Sequence, residues 1–157
     1  MNLILTRQQF QGNAVHGVLQ LPSLSGEGPG VRFPTLENAA YLIPPGTYRI
    51  AVTYSPRFKH PLPLVCNVPV RGSGPATLKE YGVPDATAGS CGGERRNNEV
   101  SDEPSESRER SLFRRGIRFH RGTRPEHSKG CILLSAGDEQ RLTTLLQQAG
   151  SATITIA

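Results

Sequence analysis

Apolar and polar residues alternate with a period of two along several stretches of this chain. The clearest is Thr47–Tyr54, where Tyr48, Ile50, Val52 and Tyr54 fall on one face and Thr47, Arg49, Ala51 and Thr53 on the other. That is the pattern of a half-buried strand. It follows Pro45-Gly46, in which proline presets the first central dihedral of a type II turn and glycine supplies the positive φ of the second. Asn2–Arg7 and Val15–Leu21 predict two earlier strands. Phe33–Glu37 predicts a short edge strand, because Pro34 removes a ladder donor. Pro56, Pro61 and Pro63 predict irregular backbone until Leu64–Val68. Near the C-terminus the period changes to that of a helix. Leu142, Leu145, Leu146 and Ala149 share one face, Ser135 or Asp138 can cap the start, and Gly150 stands just past the end. Ala152, Ile154 and Ile156 then alternate with Thr153 and Thr155 as a last strand.

These elements predict a single mostly-β domain spanning 1–157 with one C-terminal helix. A chain of 157 residues can bury one sizeable core. Residues 71–115 differ in character. Gly72-Ser73-Gly74-Pro75 opens them, Gly89-Ser90-Cys91-Gly92-Gly93 interrupts them, and from Glu94 to Arg115 six acidic residues face six arginines with almost nothing apolar. Such a segment buries too little surface to offset its ordering entropy, so it reads as a flexible insertion. Its functional reading is a lid or a protein-binding loop; its plain reading is a solvated excursion.

The net charge of +5 favours polyanionic partners. The basic residues are scattered, however, and aromatics make up only 6% of the chain. With no stacking platform visible, nucleic acid is not the expected partner. No apolar run approaches the roughly 18 residues of a membrane-spanning helix, so no membrane insertion is expected. Met1–Arg7 lacks the charged start and long apolar stretch of a signal peptide. Action in the periplasm or cell wall would then need a non-standard route.

The candidate chemistry lies in Gly116–Leu134. Ile117 and Phe119 share one strand face, and Arg118 and His120 the other. A loop leads through Ser128-Lys129-Gly130 to Cys131 and a second apolar strand. A cysteine attacks as its thiolate, and a neighbouring imidazole can take the proton. His120 is the first choice of base and His127 the second. The N–H of Cys131, with that of Lys129 or Gly130, can form an oxyanion hole. Ser128 can bond within the loop or orient the imidazole. Arg118 and Arg121 can hold a carboxylate. A zinc site built from His120, His127 and Cys131 lacks a fourth ligand, so neither metal nor cofactor is expected. Three cysteines leave at least one free thiol. Cys66 reads as a buried small hydrophobe, and Cys91 as unpartnered. The plain reading of Cys131 is the same as that of Cys66.

The segment Phe119-His120-Arg121-Gly122, followed by Ser128-Lys129-Gly130-Cys131-Ile132, resembles the active-site signature of the L,D-transpeptidases. More of the chain is similar to a smaller family of bacterial and phage domains with that signature. Thr35-Leu36-Glu37, Pro45-Gly46-Thr47-Tyr48, Tyr54-Ser55-Pro56-Arg57-Phe58 and Asn67-Val68-Pro69 carry this second likeness. The resemblance implies an L,D-transpeptidase-like β-sandwich. It also implies a cysteine acyl-transfer enzyme acting on peptidoglycan stem peptides, as an L,D-transpeptidase or L,D-carboxypeptidase. Cys131 falls on the nucleophile, His120 on the histidine, and Ser128 and Gly130 on the Ser and Gly of the motif. Lys129 stands where the family has a second histidine, and Leu133 and Leu134 where an Arg or Asn is usual. Compact domains of this kind also occur among antibacterial effectors. The rival reading is a non-catalytic binding domain of phage or mobile-element origin.

Overall fold

A computed structural model describes residues 1–23, 30–70 and 113–157. The chain runs β1 (Asn2–Gln11), β2 (Ala14–Leu21), β3 (Val31–Asn38), β4 (Gly46–Ser55), β5 (His60–Val65), β6 (Val68–Pro69), β7 (Phe113–Arg114), β8 (Phe119–Arg121), β9 (Ile132–Leu134), α1 (Ala136–Ala149) and β10 (Ala152–Ile156). The domain is mostly β, with its one described α-helix near the C-terminus.

Eight strands form one sheet in the order β5-β4-β10-β1-β2-β3-β9-β8, rather than the two facing sheets of a sandwich. Its two ends approach each other. Leu64 bridges Arg118, and the Val65 N–H donates to the Ile117 carbonyl at 2.8 Å. The sheet is thus a nearly closed barrel. Closure brings the chemistry-bearing strands β8 and β9 to the seam.

Prolines do not break β5. Val65 directs its N–H across the seam, and residues two apart along a strand point the same way. Pro61 and Pro63 therefore lack donors only on the seam side, away from β4. This leaves the seam thinly bonded, with Leu64 joined to Arg118 but little to zip it further. Likewise β3 is an internal strand, not an edge. It pairs with β2 along its whole length but with β9 only through Leu36↔Leu133. Pro34 lies where the β9 side is open.

The barrel core gathers Leu3, Leu5, Leu19, Phe33, Ile50, Phe119, Ile132 and Ile154, with Leu142 and Leu146 brought in by α1. Ser135 caps that helix, its Oγ accepting from the Asp138 N–H at 3.2 Å. Gly150 closes it at φ 71°. Arg7 and Glu37 form a buried two-pronged ion pair at 2.9 Å, and Arg7 also donates to the Ile43 carbonyl.

Residues up to 112 of the predicted 71–115 insertion lie outside the described ones. Its last residues belong to the fold: Phe113 and Arg114 pair with Pro69 and Val68. Phe113 and Arg114, inside those expected bounds, are thus strand residues, and the side chain of Arg114 reaches the Leu42 and Lys129 carbonyls. Among the described residues no helix is long and apolar enough to cross a membrane.

Candidate active site

β8 and β9 run parallel, with Phe119 beside Ile132 and His120 beside Leu133. One step back, Arg118 lies beside Cys131, and the Ile132 N–H donates to the Arg118 carbonyl at 3.0 Å. Neighbours in register share a face, so Cys131 leaves the sheet on the side of Arg118 and His120. Cys131 and His120 are diagonal neighbours, roughly 8 Å apart between Cα atoms from strand spacing and rise.

The thiol of Cys131 is free and intermediate in exposure. Its Sγ accepts from the Arg118 N–H at 3.5 Å and donates to the Gly116 carbonyl at 3.6 Å. No hydrogen bond joins it to the imidazole at rest. Burial pushes the thiol above its ordinary pKa, while the Arg118 N–H and the guanidinium groups of Arg114, Arg57 and Arg118 pull it back. A thiol pushed up by burial rests protonated.

His120 is buried rather than turned to solvent. Its ring lies 4.6 Å from that of Phe58. Nδ1 is 2.9 Å from the Arg121 carbonyl. A carbonyl only accepts, so Nδ1 carries the proton and Nε2 is left as the basic nitrogen. Burial lowers the imidazole pKa, and Arg57 and His127 push the same way; the Arg121 carbonyl and Glu139 oppose them.

Ser128 is structural. Its hydroxyl donates to the Cys131 carbonyl at 2.7 Å and accepts from the Gly130 N–H at 3.0 Å. It does not orient the imidazole, and it removes the Gly130 N–H from any oxyanion hole. The N–H of Cys131 has no acceptor among the described residues and remains for that role. Asn38 clamps the same loop, donating to the carbonyls of Pro125 and Ser128.

Arg118 does not present a carboxylate clamp. Its guanidinium donates to the carbonyls of Thr53 and Leu62 at 3.0 Å and of Tyr54 at 3.3 Å, bracing the barrel seam. Arg121 is exposed at the end of β8, on the face opposite His120, so alternation separates it from the dyad. His127 is exposed on the short 3-10 turn Pro125–His127.

Several participants carry no linear signal. Arg114 donates to the carbonyls of Leu42 and Lys129 and so reaches the thiol's surroundings. Glu139, buried on the first turn of α1, accepts the Arg121 N–H with Oε2 and meets His60 Nε2 with Oε1 at 3.1 Å. His60 Nδ1 faces the Phe58 carbonyl at 2.8 Å. Phe58 links His60 to His120 through ring contacts on both. Cys66 is buried but disulfide-bonded, not a plain hydrophobe. Cys91 lies outside the described residues. A groove lined by Ile50, Val52, Leu146 and Ala152 contains none of these groups.

The fold and the site together define a mostly-β domain with a free thiol and a neutral imidazole on one face of a barrel seam. Comparison with protein-family models, curated proteins and solved structures finds no match to this chain.

Proposed function

We propose that the protein is a cysteine acyl-transfer enzyme acting on peptidoglycan stem peptides, of L,D-transpeptidase or L,D-carboxypeptidase type. A fold related to that of the L,D-transpeptidases is part of the proposal; the mostly-β architecture and the Ser-x-Gly-Cys turn into β9 support it. The carrying observation is the shared face of Cys131 and His120, with Nε2 left as the free basic nitrogen.

The thiol rotates away from the Gly116 carbonyl, and His120 Nε2 takes its proton as Sγ attacks the substrate carbonyl. The Cys131 N–H faces the developing oxyanion. The C–N bond breaks as Nε2 returns the proton to the leaving amine, forming a thioester on Cys131. An amine acceptor or water then attacks the thioester as Nε2 takes its proton, and the C–S bond breaks as Nε2 passes that proton to Sγ, releasing the product and restoring the Cys131 thiol. Because the thiol is neutral at rest, base and nucleophile act together, and the enzyme avoids a standing reactive thiolate.

The test is incubation of the protein with stem-peptide muropeptides, followed by intact-protein mass measurement. An acyl adduct that maps to Cys131 and vanishes in Cys131→Ala supports the reading. The neutral resting thiol equally suits a non-catalytic binding domain. Muropeptide binding that Cys131→Ala retains, with no adduct in the parent, would establish that alternative.

A further inference from the structure

The exposed arginine nearest in effect to both members of the dyad has no role in the chemistry above. Arg57 sits in the turn between β4 and β5, which the Lys59 N–H closes on the Ser55 carbonyl at 2.8 Å. Its guanidinium carbon lies 5.6 Å from the centroid of the Phe58 ring. Phe58 in turn lies against the His120 imidazole, with centroids 4.6 Å apart. The aromatic ring thus contacts both a cation and the imidazole.

Three arginines surround the thiol electrostatically, but they differ in what they have left to offer. Arg114 and Arg118 are engaged with backbone carbonyls. Arg57 is exposed and donates to no acceptor among the described residues. Its charge is nonetheless felt at both Cys131 and His120. A guanidinium with its N–H fork available, held at the aromatic ring that packs on the His120 imidazole, is suited to bidentate recognition of a carboxylate.

We infer that Arg57, mounted on the Phe58 ring, is the residue that recognises an anionic group of the ligand, a carboxylate, and draws it to Cys131. It takes over the part the sequence pattern offered to Arg118 and Arg121. The inference deepens the acyl-transfer reading and rests on it for the identity of the ligand. Its electrostatic content can be measured without any acyl transfer.

The probes are two small alkylating agents of similar size, iodoacetate and iodoacetamide, used on the full chain at low salt. Modification of Cys131 is followed by peptide mass measurement. The anionic reagent should react preferentially in the parent protein. Arg57→Gln should lower the iodoacetate rate relative to the iodoacetamide rate by about 3- to 10-fold, a typical steering effect of one nearby charge. Arg57→Lys should restore part of that ratio, because a point charge remains without the planar fork. Added salt should erode the preference more in the parent than in Arg57→Gln, which keeps only the charges of Arg114 and Arg118 near the thiol. If both rates fall equally on Arg57→Gln, Arg57 acts only on thiol ionisation and the inference is overturned. If neither changes, it is overturned as well. A collapsed ratio in a protein that never forms a muropeptide adduct would uphold Arg57 as an anion-recognising residue while sinking the proposed reaction.

Discussion

The guanidinium of Arg114 occupies the space that a side chain at Gly130 would fill. A Cβ built on Gly130 would come within 1.5 Å of Arg114 Nη2 and 3.1 Å of the Tyr41 carbonyl. Gly130 also takes a φ of 115°, a backbone conformation that side chains disfavour. The glycine before Cys131 therefore admits an arginine, which in turn ties the Lys129 and Leu42 carbonyls together.

Gly130→Ala should cost more than about 2 kcal/mol, from backbone strain and the displaced arginine together. Arg114→Ala should cost about 1–3 kcal/mol through its two charge-assisted bonds. The double variant should lose less than the sum, since the clash needs both residues. Urea midpoints of the four proteins check this. Strict additivity would mean that Arg114 does not hold the position described.

The strands with clean alternation, β4 and β10, were legible because one face of each is core. The β5 prolines misled because sequence shows a missing donor but not the direction in which it would have pointed. Arg118 read as a ligand-binding group for a related reason: alternation placed it opposite the core, yet that face is buried too and its guanidinium turns to carbonyls across the seam. Arg114, Glu139 and His60 left no trace, since their partners stand 72, 18 and 79 residues away. Local pattern carries Cys131 and His120; closure of the sheet supplies their surroundings.

Alkylation of Cys131 should accelerate with pH well past neutrality. Burial raises the thiol's pKa, so the reactive thiolate is scarce at pH 7. The inflection for iodoacetamide should lie above the roughly 8.5 of an ordinary thiol. A rate that stays high below neutrality would reveal a stored thiolate and contradict the resting state described.

Glu139→Ala should destabilise the domain by about 1–3 kcal/mol, because it leaves the Arg121 N–H without its acceptor. Glu139→Gln should cost less, since an amide oxygen can still accept that bond. The His120 imidazole should move in the first variant, as Arg121 carries the carbonyl that fixes Nδ1. Imidazole NMR shifts that are unchanged in Glu139→Ala would show that Glu139 does not position the base.

His120 also sets a pH dependence of stability. Burial, with help from Arg57 and His127 and against Glu139, depresses its folded pKa. The folded state then binds the proton less readily than the unfolded chain. The contribution is fully present above the unfolded value of about 6.5 and is lost as pH falls from there through the folded value. His120→Gln removes that loss, so the stability gap between parent and variant should narrow on acidification. Urea unfolding at neutral and acidic pH checks the sign; a gap that widens in acid would reverse it.

The ranking of the two histidines tests the site as a whole. His120 shares its strand face with Cys131, has its proton fixed on Nδ1 by the Arg121 carbonyl, and rests against Phe58. Nε2 is thereby aimed with little freedom. His127 is exposed on the 3-10 turn and reaches the dyad only through its charge. Cys131→Ala should abolish acyl transfer. His120→Ala should lower it by roughly 10²–10⁴-fold, the usual worth of a positioned base. His127→Ala should change it by less than about 10-fold, because a loop residue of this kind modulates the local potential without receiving the proton. Adduct formation with muropeptides in the three variants gives the order. Were His127 indispensable and His120 dispensable, the proton would leave through the loop. The shared face of β8 and β9 would then be an accident of barrel closure.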